Sequence, residues 1–301
     1  MEKPVSPYPT IRTLPANVPA SVRTVLDYFC WRFDKVPVET WRGRFERGLV
    51  YTDIGPVNAG TLYEAGREIR YHREGRCAEP PVRWNYQIVY EDENLLIADK
   101  PHFLPVMPSG RYVSRCLLTL LRDATGNPDL VPLHRLDRDT AGLVAFSKRK
   151  ATRRPLAMMF EPGKIRKEYR ALCEIREAKP LRRQIVEGHL AVEIPYWKRR
   201  LVPGEPVNSR TEVIRIRIAG NLAYCKILPH TGKTHQIRVH LAAIGCPILN
   251  DRIYHEGLEP DGGVISAPLQ LLAARLDFIH PLTGAPQSVR SRRKLSALVL
   301  F

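Results

Sequence analysis

The stretch from Val213 to Leu228 limits the fold more than any other. Val213-Ile214-Arg215-Ile216-Arg217-Ile218 alternates apolar and basic side chains at period two, Ala219-Gly220-Asn221 breaks the run, and Leu222 to Leu228 continues it. Successive side chains on a strand point to opposite faces, so this pattern predicts an antiparallel hairpin with one core face and one solvated basic face. A chain holding such a hairpin is committed to a sheet whose faces differ.

Other segments extend that sheet. Asn94 to Asp99 and Gly142 to Ser147 read as buried strands, and Lys167 to Ile175 alternates with Tyr169, Ala171, Cys173 and Ile175 on one face. Helical patches lie between them, so residues 85–301 are expected to form one α+β domain on a mixed, largely antiparallel sheet. The N-terminal part reads differently. Residues 1–20 are proline-rich and predict an extended arm. Residues 21–75 hold two helical patches, Val22, Val25, Leu26 and Phe29 in the first and Val38 through Trp41 to Phe45 in the second, which ends at Gly48. With short strands at Leu49-Val50-Tyr51 and Glu68-Ile69-Arg70-Tyr71, they predict a small α/β module. Pro80-Pro81 resists helix and central strand alike, which places a linker over 76–84.

Charge narrows the partner. Lys and Arg number 47 against 31 Asp and Glu, a formal net charge of +16. A surface this basic attracts polyanions, and nucleic acid is the expected class. The six cysteines form no C-x-x-C pair and predict no zinc site. The start, Met1-Glu2-Lys3-Pro4, has no apolar leader core, and no stretch is apolar enough to span a bilayer; a soluble, cytoplasmic chain with reduced thiols is expected. No P-loop, Rossmann fingerprint or G-x-S-x-G elbow is present, so neither a nucleotide cofactor nor a serine nucleophile is expected.

Two segments have the residue types for chemistry. Leu133-His134-Arg135-Leu136-Asp137-Arg138-Asp139-Thr140-Ala141-Gly142 sets two carboxylates among two arginines and a histidine, ahead of an apolar run. Nearby cations favour an ionised carboxylate, which serves as nucleophile or general base; a polar turn entering a strand has the same spacing. In Pro229 to Leu241, Gly232 and Thr234 are placed to turn the chain and cap a helix, with Ile237, Leu241 and Ile244 on its apolar face and Arg238 early on it. That arginine either reaches a carboxylate or phosphate, or is structural on a half-buried helix. His235 and His240 are not at the i,i+4 spacing of a helical metal pair.

Taken together, and in this order, these segments resemble the RluA-type family of pseudouridine synthases over roughly residues 87–285. Tyr90 to Pro101 with Leu104-Pro105-Val106 is similar to the opening strand and the K-P-x-x-L-P-V loop. His134-Arg135-Leu136-Asp137 with Thr140 and Gly142 is similar to H-R-L-D-x-x-T-S-G, and Lys167-Glu168-Tyr169-Arg170-Ala171 to K-x-Y-x-A. Gly232 to His240 is similar to G-R-T-H-Q-I-R-V-H, and Leu276 to Pro281 closes the series. The chain departs from the pattern at Phe103, Met107, Ala141, Lys233 and Leu272, which leaves the substrate and loop shape open. Trp41, Arg42, Arg44 and Arg47, followed by Gly48-Leu49-Val50, resemble part of an S4-like RNA-binding module.

The resemblance implies an isomerase that converts uridine in ribosomal or transfer RNA to pseudouridine without cofactor or metal. Asp137 would be the catalytic carboxylate, attacking C1′ or C6 or taking the C2′ proton. Tyr169 would pack on the flipped ring and help remove the C5 proton, and Arg238 would pair with Asp137. His134, Arg135, Lys233 and His235 would hold RNA at the catalytic domain, and Arg42 and Arg44 at the module. Chemistry on a base requires extruding it from the stack, which an aromatic face partly offsets. The rival expectations are a non-catalytic RNA-binding or ribosome-assembly factor on an inactivated synthase fold, and a glycosylase releasing free uracil. The retention of Asp137, Tyr169 and Arg238 together favours the synthase.

Overall fold

Period-two alternation does become sheet, and one irregularity in it is informative. The computed structural model describes residues 4–75, 79, 85–109, 112–176, 182–194, 198–255 and 267–297. By its internal contacts the chain divides into two units, residues 1–80 with 108–114 and residues 81–107 with 115–301. The expected linker over 76–84 lies outside the described residues apart from Glu79, whose carboxylate accepts hydrogen bonds from Ser114 N and Oγ.

The first unit contains β1 (Thr10–Thr13), α1 (Val25–Arg32), α2 (Val38–Glu46), β2 (Val50–Thr52), β3 (Gly55–Pro56) and β4 (Glu68–Tyr71). Thr24 and Asp27 close a capping box that starts α1. Phe29, Trp41 and Tyr71 meet edge-on or tilted at the centre of its core. The proline-rich start is extended but not separate from the module. Its strand β1 pairs antiparallel with β4, and Leu14 is buried in the same core.

The second unit contains β5 (Gln87–Glu91), β6 (Leu95–Lys100), α3 (Leu117–Thr125), β7 (Val131–Pro132), β8 (Ala141–Ser147), α4 (Arg153–Met158), β9 (Ile165–Glu174), β10 (Arg183–Val192), β11 (Arg199–Val202), β12 (Ser209–Ala219), β13 (Leu222–Pro229), α5 (Gln236–Ala243), β14 (Leu271–Ile279) and β15 (Pro286–Arg290). Their sheet runs β11-β10-β12-β13-β9-β14-β8-β6-β5, with β15 on β14 and β7 on β8. Among the described residues the β14–β8 pair alone is parallel. The expected α+β domain on a mixed, largely antiparallel sheet is therefore what forms. Ala171, Val213, Cys225 and Ile227 on the sheet share one core cluster with Ile237 and Leu241 of α5, which seats that helix against the face of the sheet.

The β12–β13 hairpin has the expected turn, Ala219 opposite Leu222, but a bulge interrupts its register between Arg215 and Arg217. The extra residue slips the phase. Ile216, the bulged residue, and Ile218 beyond it are 49% and 41% exposed, so the single apolar face predicted for this strand does not continue through the bulge.

Gly142 sets the start of β8. Its φ is +113°, and a Cβ there would run into the backbone of Ala273 on the parallel neighbour β14. Gly142→Ala therefore meets a forbidden dihedral and a backbone clash together, and is expected to destabilise the fold by at least about 3 kcal/mol in urea titration. A loss under 1 kcal/mol would show that the two strands part without penalty.

His240 supplies a pH dependence. It is fully buried between the hydroxyls of Ser209 and Thr211, both at 3.0 Å. Burial pushes its pKa down to about 4. The folded chain then holds His240 neutral while the unfolded chain protonates it near pH 6.5. Stability from this group is complete above about pH 6.5 and falls, on the order of 3 kcal/mol, as the pH drops to about 4. Denaturation at stepped pH should show that slope, and His240→Gln should remove about this much of it, leaving the share of the other buried histidines such as His134.

Candidate active site

The loop between β7 and β8 presents Asp137, and three contacts fix its backbone. Lys100, at the end of β6, is fully buried, and its Nζ donates to Pro101 O, Leu104 O and Arg138 O at 2.8–3.0 Å. Three carbonyls match the three donors of an ammonium. Burial nevertheless pushes the Lys100 pKa down to about 7, against the opposing charges of Asp139 and Asp137. One residue beyond Arg138, His102 Nδ1 meets Asp139 O at 2.7 Å. On the other side of Asp137, His134 Nε2 accepts the Ala145 amide at 3.1 Å, and its ring stacks on Phe160 at 4.4 Å. Burial, with the positive charge of Lys167 second, pushes the His134 pKa down to about 3, so the ring stays neutral.

Helix α5 brings the second segment to this loop. Thr234, expected as its cap, is exposed; the cap is His235, in the left-handed region at φ 57° with no capping side chain. Gln236 orders the turn instead, accepting from Thr231 Oγ1 and Lys233 N while donating to Arg210 O and Thr211 Oγ1. That left-handed turn lets Arg238 face the Asp137 loop. Arg238 Nη1 lies 3.6 Å from Asp137 Oδ2, and His235 Nε2 lies 3.8 Å from Oδ1.

Arg238 has a stronger partner that the sequence did not reveal. Asp251 accepts from its Nε at 2.8 Å and its Nη2 at 2.6 Å, both side chains being almost fully buried. Such forked pairing fixes the guanidinium in its plane. Burial opposes charge on Arg238, yet Asp251 and then Asp137 hold its pKa above the usual value. Burial would also raise Asp251, but Arg238 and the Ile253 and Tyr254 amides outweigh it and hold that carboxyl below its usual range. Tyr254 completes the support, with its hydroxyl 2.8 Å from His235 Nδ1 and its ring under Arg238 at 5.3 Å. Asp251 and Tyr254 sit in an aperiodic stretch. The available signal was electrostatic: an arginine on a buried helix face needs a full counter-charge inside the fold.

Tyr169, on β9, completes a cleft of about 160 Å³ lined also by Arg135, Asp137, Lys233, His235 and Arg238. Burial, with the Asp137 charge second, pushes the Tyr169 phenol well above its usual pKa. The ring is therefore a protonated phenol, suited to packing and donating. Arg135 and Lys233 are exposed at this cleft, whereas His134 is turned into the packing behind the loop. In the first unit Arg42 is exposed on α2. Arg44, expected as an RNA contact, turns inward: it lies over the Trp41 ring at 4.4 Å and pairs with Glu74 at 3.3 Å.

A carboxylate and a guanidinium thus converge beside a tyrosine in a cleft on a mixed sheet, and the sequence relationships give the family. The sequence pattern of the RNA pseudouridylate synthases matches residues 94–243. An uncharacterised RNA pseudouridine synthase of Synechocystis is 31% identical over 274 residues, covering 85% of this chain and 89% of its own. The dual-specificity RNA pseudouridine synthase RluA of Haemophilus influenzae is 30% identical over 229 residues, 71% of this chain and 95% of that one. Among solved structures, human RNA pseudouridylate synthase domain containing 1 aligns with a TM-score of 0.57 at 22% identity, covering 72% of this chain and 86% of its own, which bears on fold alone. The chain belongs to the RluA-type family of RNA pseudouridine synthases, isomerases that act on RNA. Among the described residues no helix is long and apolar enough to cross a membrane.

Proposed function

We propose that this chain isomerises one or a few uridines of structured ribosomal or transfer RNA in the cytoplasm, with Asp137 as the catalytic carboxylate. The observation that carries the reading is the asymmetry of its ion pair. Asp137 is 23% exposed at the cleft, while Arg238, which faces it, is 2% exposed and locked by Asp251. A guanidinium held from behind orients the carboxylate without covering it. In the reaction the C1′–N1 bond breaks, the uracil turns, and C1′–C5 forms; C5 loses a proton and N1 gains one. Asp137 acts at C1′, C6 or the C2′ proton, and the protonated Tyr169 packs on the extruded ring. Arg135, Lys233 and His235 line the path an RNA strand would take to the carboxylate.

The relatives support the substrate class. One is named a dual-specificity RNA pseudouridine synthase, and another, 30% identical over 242 residues, a mitochondrial tRNA pseudouridine(32) synthase of Saccharomyces cerevisiae. The test maps pseudouridine at nucleotide resolution in total rRNA and tRNA from cells with and without the gene. Sites that vanish, and return with wild type but not with Asp137→Asn, support the reading; an unchanged map, with no product from the same RNAs in vitro, rejects it. For the S4-like module the proposal is phosphate contact through Arg42. Arg42→Glu should then weaken RNA binding by about tenfold, read by filter binding. Arg44→Gln should act on stability instead, and equal effects on RNA affinity from both would remove the module from binding.

A further inference from the structure

The cleft holds a cation that no step above uses. Lys167 lies on β9 two residues before Tyr169, on the same face, and lines the cleft with Asp137. Among the described residues it has no hydrogen-bond or ion-pair partner. Its neighbour Glu168 points to the opposite face, where Arg170 at 2.6 Å and Lys226 at 3.2 Å take its carboxylate. The Lys167 ammonium sits against the turn before α5, 3.7 Å from where a Cβ on Gly232 would be. The other inner side chains are engaged, Arg238 by Asp251 and Asp137, and His235, whose pKa burial lowers, by Tyr254. Burial depresses the Lys167 pKa with no anion to oppose it.

Charge in the cleft gives a free ammonium a role. Inside the rim cations Arg135 and Lys233, Asp137 and Asp251 together exceed Arg238 by one negative charge, and Lys167 is the cleft cation that offsets it. Residues two apart on a strand are separated by roughly 7 Å. That separation is comparable with the distance from a pyrimidine ring to a phosphate of its own nucleotide. A uracil packed on Tyr169 would therefore bring one flanking phosphate to Lys167. The geometry points to Lys167 as the binding residue for a backbone phosphate of the extruded uridine, a subsite that holds the nucleotide by its backbone while the base turns. A compact ammonium on a flexible stem suits this task, since it follows the phosphate as the sugar shifts during isomerisation.

This inference rests on the synthase reading, and its test separates the two. The substrate is an RNA carrying the mapped uridine, made with a neutral methylphosphonate at the phosphate 5′ or 3′ of that uridine. Single-turnover rate and half-saturating enzyme concentration are measured for wild type, Lys167→Gln and Lys167→Arg. One of the two neutral linkages should raise half-saturation for wild type by about tenfold, with the saturated rate changed little. Lys167→Gln should show that defect on ordinary RNA, with no further loss from the same linkage. Its binding should also have a salt slope shallower by about one, and Lys167→Arg should recover most of the affinity. Wild-type half-saturation in Lys167→Gln, or equal sensitivity of wild type and Lys167→Gln to both linkages, overturns the phosphate assignment while leaving the synthase reading intact. Absence of pseudouridine with wild type on any RNA rejects the synthase reading itself, and the subsite with it.

Discussion

Asp137→Asn is expected to lower single-turnover pseudouridine formation by at least about a thousandfold while leaving RNA affinity within a few fold of wild type. The amide keeps the carboxylate's size but cannot act as nucleophile or base. The fold should tolerate it, because Arg238 keeps its two close bonds to Asp251 and loses only a partner at 3.6 Å. The loop itself is held by Lys100, His102 and His134 through backbone atoms that the substitution does not touch. Removing a negative charge from the cleft also lessens repulsion of phosphates, so any change in affinity should be toward tighter binding. Rate and affinity are measured on the same RNA by single turnover and filter binding. A variant that keeps more than a tenth of the wild-type rate would remove Asp137 from the chemistry, and a loss of binding as large as the loss of rate would make it a structural residue.

The parts of this site that were legible in the sequence are those encoded by neighbours along the chain. Tyr169 faces the cleft because strand alternation fixes its side from local pattern alone, and Asp137 stands in a long contiguous signature. The turn of the β12–β13 hairpin was readable for the same reason. What escaped depends on contacts across the sequence. The bulge at Arg215 and Arg217 is a mismatch between two strands, which a single strand's pattern does not contain. The pairing of Thr10–Thr13 with Glu68–Tyr71 joins segments far apart, and the Pro-rich composition around the first strand hid it. The resemblance to an S4-like module groups Arg42 with Arg44, although residues two apart on a helix face different ways; one is exposed and the other lies against Trp41 and Glu74. Lys100 was legible as a letter in a pattern, but its three carbonyl acceptors exist only once the loops fold around it.

Asp251→Asn carries the largest expected loss of stability, and it tests whether the support behind Arg238 matters as the geometry implies. The asparagine amide turns a donor toward one guanidinium nitrogen and removes the charge that balances it. Arg238, 2% exposed, would be left with Asp137 at 3.6 Å as its nearest carboxylate. Breaking a buried pair by removing one partner costs about 3–5 kcal/mol, chiefly because the remaining charge is uncompensated. For a domain this size that corresponds to a melting temperature lower by roughly 10 °C. The Ile253 and Tyr254 amides both donate to Asp251 Oδ1, and the asparagine oxygen can still accept them there, so the loss falls on the guanidinium. If the unpaired charge is the cause, a second change should relieve it: Asp251→Asn with Arg238→Met should melt higher than Asp251→Asn alone, though both are inactive. Scanning calorimetry on the two variants and wild type decides the matter. A single variant that melts within 2 °C of wild type, or a double variant that melts lower still, would mean that Arg238 is held by packing and that Asp251 is not the group that keeps it aimed at Asp137.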